Sequence, residues 1–336
     1  LMEPKGRHMD HVERYLEVYE SLRRRKRWGT DPNILRFAAL TLAASEVDPE
    51  RVDLEAAAKA LVDEAGGFSP LNSPIRHAVA AILIRRGMDP TATVRRIKET
   101  LALFKEAKLQ KGGTSPYLAA LLLVLDAEGE APSPRPVQRM KAILDRWKDD
   151  HWWLTGPGDY PMAAMHAARD SSVEQIALEA EVVYQAARRL RFSRGNQLQL
   201  ASHLLLFSDA GPREAAERFA RMANALRSAG QRIGESQYDE VALLVLSRVG
   251  AEVAASRALA VRDRLRAVKP KPPAAIAFSI ACGVVLAETA RGLEGLDDAG
   301  AAANLRAVQS VVEAQQAAMI ACLAATTAAT SAAASS

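Results

Sequence analysis

The chain has 336 residues, of which 49% are hydrophobic and 5% aromatic, and it carries 44 Lys and Arg against 40 Asp and Glu. This composition is typical of a globular protein with a sizeable core, and it excludes collagen-like, disulfide-rich and intrinsically disordered proteins. The sequence contains no run of about 18 uncharged apolar residues, so it predicts no membrane-spanning segment.

The first nine residues include Arg7-His8-Met9 and resemble an expression-vector scar, so the predicted domain covers residues 10–336. Apolar residues at helical spacing predict a first helix over residues 10–28. Five consecutive basic residues, 23–27, more than account for the net charge of +4. Because basic residues suit the C-terminal end of a helix, this pattern argues against nucleic acid as a partner.

A short signature recurs about every 40 residues along the chain: an apolar residue, two small residues and another apolar residue. Clear copies begin at Phe37, Val79, Leu118 and Met162, and degenerate copies begin at Leu200, Val241 and Ile276. Each copy lies in a nearly all-apolar segment rich in Ala and Leu, which favours a buried helix over a strand. We call these segments A helices.

Each A helix is followed by a longer segment with apolar residues three and four apart and charged residues between them, which predicts a half-exposed helix. We call these segments B helices. Several helix starts are marked by Asp or Ser before Pro, which supplies an N-cap oxygen and a suitable first residue. These pairs stand at 31–32, 48–49, 73–74, 89–90, 115–116 and 133–134.

About seven antiparallel helix pairs of roughly 40 residues predict an all-α fold in one domain, namely an α-solenoid. The alternative is a closed α/α toroid, in which the first repeat packs against the last. Gly283 interrupts the last A helix and is expected to admit close packing. Residues 323–336 are an Ala/Ser-rich end, and a homodimer through the preceding helix, residues 301–325, is a further hypothesis.

Several motifs follow one another in a specific order: Ser115-Pro116-Tyr117-Leu118, His151-Trp152-Trp153-Leu154-Thr155, Asp159-Tyr160-Pro161, Gly195-Asn196-Gln197-Leu198-Gln199 running into Ser202-His203, and the stretch 313–320. In this order they resemble the uncharacterised bacterial family called domain of unknown function 4003. The resemblance extends from about Glu13 to the Ala/Ser-rich end. It implies no particular activity, cofactor or catalytic residue.

Two of the four Trp residues stand beside three carboxylates within residues 149–160, a combination that can stack on and hydrogen-bond a carbohydrate or peptide ligand. Two His residues of successive A helices are candidates for acid/base chemistry. The alternatives are packing between repeats for the Trp residues and ordinary core positions for the His residues. The candidate ligand-binding residues are Trp152, Trp153, Asp159, Tyr160, His166, Asn196, Gln199 and His203.

Basic residues at the ends of B helices are predicted to meet the N-termini of A helices at one rim of the array, where free N–H groups and cations favour anions. The alternative is that these side chains only complement the dipole of their own helix. The candidate anion-binding residues are Arg188, Arg189, Arg191 and Arg194.

The sequence has no metal-ligand spacing, no phosphate-binding glycine loop and no nucleophile motif, so we expect no metal site and no cofactor, and we lean against an enzyme. Cys282 and Cys322 lie in Ala-rich surroundings and predict buried thiols in a reducing cytoplasm. We expect a cytoplasmic helical-repeat scaffold that recognises a peptide, protein or anionic partner. The alternative is a toroidal enzyme or small-ligand binder with a central polar pocket.

Overall fold

The computed structural model describes residues 10–26, 30–67, 69–110, 112–151 and 153–293. Within these ranges the secondary structure consists of fourteen α-helices and three short 3-10 turns, with no β-strand, so the all-α prediction is confirmed. The helices are α1 (His11–Arg25), α2 (Pro32–Ala43), α3 (Leu54–Ala65), α4 (Ile75–Arg86), α5 (Pro90–Glu106), α6 (Thr114–Asp126), α7 (Pro134–Asp150), α8 (Tyr160–Ala167), α9 (Val173–Arg189), α10 (Asn196–Leu205), α11 (Pro212–Ser228), α12 (Tyr238–Leu246), α13 (Ala251–Ala267) and α14 (Ala274–Leu293).

Some predictions fall outside the described residues. They are the helix over residues 301–325 with its homodimer, the Ala/Ser-rich end, Cys322 and Trp152. The helix predicted over residues 10–28 is observed as α1, whose N-cap is Asp10, with a side chain that accepts a hydrogen bond from the Val12 N–H at 3.1 Å. No helix in the described ranges is both long and apolar enough to cross a lipid bilayer.

The A helices are the even-numbered helices α2 to α14, and their burial follows the signature. The paired Ala residues of the four clear copies are at most 2% exposed, and α8 is buried along its whole length. The B helices, which are the odd-numbered helices, bury one stripe each; in α11 the stripe includes Phe219, Met222 and Leu226. Because Ala adds almost no bulk, neighbouring A helices can approach closely and share one continuous core.

Of its two neighbours in the chain, each A helix packs more extensively against the B helix that precedes it. The fourteen described helices therefore form seven pairs, from α1–α2 to α13–α14, and the N-terminal helix is the first B helix. The sequence placed this helix before the array instead. A repeating pattern defines the length of a repeat but not where the repeat starts, so the phase becomes visible only in the packing.

The proline-marked helix starts are partly confirmed. Asp31 and Asp89 cap α2 and α5, with side chains that accept from the Asn33 N–H at 2.7 Å and the Ala92 N–H at 2.6 Å. Pro134 opens α7, as predicted. The other three residue pairs do not open a helix at the predicted residue. Residues 48–49 lie in a turn, residues 73–74 come directly before the first residue of α4, and residues 115–116 lie inside α6.

The first two described helices pack against the last two described helices. Helix α14 contacts both α1 and α2, and a Cβ at Gly283 would lie only 2.6 Å from Cδ2 of Leu40 in α2. Arg264 of α13 forms an ion pair with Asp10, and Arg36 of α2 donates to the carbonyl of Pro270. Gly283 therefore allows α14 to approach α2 closely, as the sequence predicted.

Replacing Gly283 by Ala should place a methyl group against Leu40. We expect overpacking of about 1–3 kcal/mol, offset by about 1 kcal/mol of helix propensity, so Gly283→Ala should lower the free energy of unfolding by up to about 2 kcal/mol. Leu40→Ala alone should lower it by about 2–4 kcal/mol. The double variant should be more stable than the sum predicts, by at least about 0.5 kcal/mol. Urea unfolding of the four proteins measures this coupling, and strict additivity would contradict the contact.

Candidate functional site

Helices α7, α8 and α10 each contribute one ring to a cluster of three, in which the buried Trp147 contacts the other two. The ring of His203 stacks on Trp147 with the centroids 3.7 Å apart. The rings of His166 and Trp147 pack edge to face, with the centroids 5.7 Å apart. The two His rings are 6.4 Å apart. The structure therefore brings together the two His residues that the sequence singled out, and a third residue, Trp147, holds them.

The contacts of His166 define its protonation. Arg169 Nη1 lies 3.2 Å from Nδ1 of His166, and since arginine can only donate, Nδ1 accepts. The proton is then on Nε2, which donates to the backbone oxygen of His203 at 3.1 Å. Burial lowers the pKa of His166 well below its ordinary value and the pKa of His203 to about 3. Both rings are therefore neutral at pH 7, as is typical of core histidines.

A small polar cavity lies beside this ring cluster. Its volume is about 10 Å³, and its lining includes His151, Glu181, Gln199 and His203. This volume holds roughly one water molecule, whereas pockets for small ligands measure roughly 300–1,000 Å³. Gln199 donates through Nε2 to Oγ1 of Thr155 at 3.1 Å, so this side chain is also engaged in packing. The cavity is too small for a sugar or a peptide side chain.

His151 connects this cavity to the surface. Its Nε2 lies 2.6 Å from Oε2 of Glu181 in α9, and its ring contacts Tyr184 at 4.8 Å and Trp153 at 5.8 Å. Trp153 itself is 62% exposed and lies outside the cavity. The sequence analysis missed Trp147, His151 and Glu181 as members of this site. Trp147 continues the apolar stripe of α7 and was therefore indistinguishable from an ordinary core residue.

Asp159 closes the 3-10 turn that leads into α8. Its Oδ2 accepts a hydrogen bond from the Gly156 N–H at 2.8 Å, and burial raises its pKa to about 6 although this bond acts in the opposite direction. Before α12, Gln237 makes the same bond with the Gly234 N–H at 3.0 Å. The neutral amide of Gln237 accepts the same turn hydrogen bond that the carboxyl group of Asp159 accepts. This bond therefore does not require a negative charge on Asp159.

Tyr160, the next residue, ties its helix to an earlier connector. Its hydroxyl accepts from the Gln110 N–H at 3.1 Å, and the hydroxyl of Tyr238 in α12 accepts from the Ser193 N–H at 3.2 Å. This pairing recurs two repeats apart and matches the packing interpretation of Tyr160. Asn196, the first residue of α10, is exposed, so the predicted ligand-binding residues do not converge on one pocket.

A larger concave surface lies on the outside of the B helices, between α9 and α11. This groove has a volume of about 460 Å³, and its apolar lining is Val182, Ala186 and Leu190. Leu190 is 43% exposed, and Leu178, one turn before Val182, is 65% exposed. Leu178 and Leu190 are therefore exposed, whereas Val182 and Ala186, at the i, i+4 positions between them, are half-buried, and Ala186 also packs against the core. The charged lining residues are Glu181, Arg189, Arg213 and Glu217.

Of the predicted anion-binding arginines, Arg189 lines this groove, and Arg188, Arg191 and Arg194 lie near it in the chain. All four are exposed, and neither they nor Arg213 form an ion pair with any residue in the described part of the chain. Arg218 and Arg221 of α11, in contrast, both pair with Glu214. The acidic lining residues are engaged, Glu181 by His151 and Glu217 by Arg221 at 3.8 Å. The two lining arginines, Arg189 and Arg213, therefore have no ion-pair partner within the described ranges, although Glu181 and Glu217 place two carboxylates in the same groove.

The basic side chains at the end of α1 differ from the groove arginines, because they form ion pairs and hydrogen bonds with nearby residues of the protein. Arg23 pairs with Glu20 at 2.8 Å, and Arg24 pairs with Glu50 at 3.0 Å. Arg25 donates to carbonyl groups of the connector after α2, including that of Val52 at 2.9 Å. These side chains join α1 to that connector. Arg27 lies outside the described residues.

Two adjacent carboxyl groups stand in the first turn of α12. Glu240 is buried, and burial raises its pKa well above the ordinary value, with the neighbouring Asp239 acting in the same direction and a hydrogen bond with Ser279 of α14 opposing it. Burial also raises the pKa of the nearby Cys282 thiol, which leaves it a poor nucleophile. Within the described ranges, no three His, Cys, Asp or Glu side chains are grouped to ligate a metal ion.

Comparison with known proteins gives one match. The family model of DUF4003, described as a protein of unknown function, matches residues 18–317. Neither a curated protein nor a solved structure matches the chain.

Neutral, buried His203 should make the fold sensitive to acid. Unfolding allows the ring to take up a proton below about pH 6.5, so the free energy of unfolding should fall by up to about 1.4 kcal/mol per pH unit between pH 6.5 and the folded pKa. His203→Phe keeps the stack on Trp147 and should reduce this slope. Urea unfolding between pH 7 and pH 4.5 measures it, with Asn196→Ala as a control in the same helix. An unchanged slope would contradict a neutral His203.

Glu240 should have the opposite dependence on pH. Its folded pKa is raised, so the folded state holds a proton that the unfolded state releases above about pH 4.3, and stability should fall as pH rises through the folded pKa. Glu240→Gln should therefore raise the free energy of unfolding at pH 8, by on the order of 1 kcal/mol or more, and change it little at pH 4. A variant that is less stable at both pH values would contradict this assignment.

Proposed function

The chain belongs to the DUF4003 family of proteins of unknown function, and we propose that it is a helical-repeat binding protein that recognises an acidic, helical segment of a protein partner. The groove between α9 and α11, with its unpaired arginines, is the observation that carries this proposal. The binding class fits better than the enzyme class, because the groove has the volume of a binding site and the inner cavity does not.

The apolar part of the groove supports a helical ligand. Leu178, Val182, Ala186 and Leu190 run along α9 at intervals of four residues, outside the stripe that α9 buries against the core. An amphipathic helix laid into such a groove would bury its own apolar residues at positions i, i+3, i+4 and i+7 against these side chains. Leu178 and Leu190 are among the few large apolar side chains that the described surface exposes.

The charges support an acidic ligand. Arg189 and Arg213 flank the apolar lining, and Arg188, Arg191 and Arg194 are exposed at and just after the end of α9. Complementary charge speeds association and rejects partners of the wrong sign more than it adds affinity. Asp or Glu beside the apolar residues of the ligand would meet the arginine side chains, whose planar groups bind carboxylates with two hydrogen bonds.

For the architecture we propose a closed α/α toroid rather than an open α-solenoid. The packing of α14 against α1 and α2, the close approach at Gly283 and the ion pair between Asp10 and Arg264 support this arrangement. In a toroid the B helices form the outer wall, so the groove would face outward. We also propose a cytoplasmic location, since the thiol of Cys282 is free and buried.

Two synthetic helical peptides of about 18 residues, five turns in length, test the proposed ligand. They share one stripe of Leu residues, and the flanking positions are Glu in one peptide and Lys in the other. The acidic peptide should bind at least about tenfold more tightly, and its affinity should fall as salt is added. Charge reversal by Arg189→Glu with Arg213→Glu should weaken binding of the acidic peptide by roughly tenfold, about 1.4 kcal/mol.

Arg218→Glu with Arg248→Glu is the matched control, because these arginines lie outside the groove lining and pair with Glu214 and Asp209 instead. Fluorescence anisotropy gives the four affinities, and circular dichroism checks that each variant keeps its helices. Equal binding of both peptides, binding of neither, or an equal loss in the control variant would overturn the proposal.

A further inference from the structure

The contact between the two ends of the described chain encloses a second small cavity, separate from the groove. Side chains of α1, α2 and α14 and of the connector after α13 line it, and its volume is about 10 Å³. We call it the seam cavity. Its lining residues with polar side-chain atoms are Tyr15, Tyr19 and Arg36, and the others, including Leu265, Pro270 and Ile280, are apolar.

Arg36 is a buried cation without an anionic partner. It is 4% exposed, its Nη1 donates to Oδ1 of Asn33 at 2.7 Å, and its Nη2 donates to the carbonyl of Pro270. The guanidinium also lies 5.1 Å from the ring centroid of Tyr19. All these partners are neutral, and Arg36 forms no ion pair within the described ranges. A buried charge that is not paired is unfavourable, so this position attracts an anion.

Tyr19 supplies a second donor to the same cavity. The side chain is 2% exposed, and its hydroxyl makes no hydrogen bond with the described residues. The carboxylates nearest in the chain are engaged elsewhere: Asp10 pairs with Arg264, Glu20 with Arg23, and Asp31 caps α2. Asp31 and Glu20 act on Tyr19 electrostatically, but no carboxylate of the described residues forms an ion pair with the Arg36 guanidinium.

We propose that the seam cavity binds a monatomic anion, chloride under physiological conditions, with Arg36 and Tyr19 as its ligands. A guanidinium with a permanent positive charge and a hydroxyl whose O–H has no partner line the same cavity, and this pair suits an anion better than a cation. A cavity of the size of about one water molecule admits a halide and excludes sulfate or phosphate. Because its ligands join α1 and α2 to the region around Pro270, the ion stabilises the contact between the two ends of the described chain.

Thermal unfolding at constant ionic strength tests this site. Sodium gluconate is replaced stepwise by sodium chloride, bromide or sulfate, and Tm is followed by circular dichroism. Chloride and bromide should raise Tm by a few degrees in a saturable manner, as expected for a ligand that binds the folded state alone, and sulfate should not. In crystals soaked in bromide, an anomalous peak should lie within contact distance of Arg36 and Tyr19.

Three variants assign the effect to the cavity. Tyr19→Phe should weaken the apparent halide affinity several-fold, and Arg36→Met should abolish the halide dependence of Tm whatever its effect on Tm itself. Arg264→Met, which breaks only the ion pair with Asp10, should retain the dependence. Equal Tm in chloride and gluconate, a halide effect that persists in both cavity variants, or a bromide peak only at other positions would overturn the proposal. These outcomes do not involve the groove or its peptide ligand.

Discussion

Close approach between neighbouring A helices is the constraint on which the rest of the molecule depends. At the paired alanines, such as Ala119 and Ala120, almost no side-chain bulk separates the backbones, so these helices lie buried on nearly all sides. An enclosed helix has no free face for a ligand. The B helices keep a free face, and in α9 this face carries the exposed apolar residues Leu178 and Leu190 beside the buried stripe.

The polar groups that do lie inside the array are found where helices of different pairs meet. His203 of α10 stacks on Trp147 of α7, Glu240 of α12 is near Ser279 of α14, and Arg36 of α2 reaches Pro270. In the first two cases burial shifts the pKa in the direction that favours the uncharged form, whereas a guanidinium cannot lose its proton. This difference explains why Arg36, and neither His203 nor Glu240, attracts a counter-ion.

The sequence predicts what its periodicity records, namely which face of each helix is buried and how long a repeat is. It could not predict the phase of the pairs, because α1 looks like an addition until its packing against α2 is seen. Nor could it predict which side chains pack against each other, since the sequence around an apolar or aromatic residue such as Trp147 does not indicate its contacts. Asp159 and Tyr160 looked like ligand-binding residues from their sequence context, but Asp159 bonds within its own turn, to the Gly156 N–H, and Tyr160 bonds to the Gln110 N–H of a connector that is distant in the chain.

The hydroxyl groups of Tyr160 and Tyr238 have a consequence for cooperativity. Each accepts a backbone hydrogen bond from a connector that belongs to an earlier pair, so that connector cannot open without releasing the first residue of a later A helix. Independent repeats would unfold one at a time. Here the two tyrosines join neighbouring pairs into larger units of local unfolding, which makes the connectors at Gln110 and Ser193 poor places for an insertion.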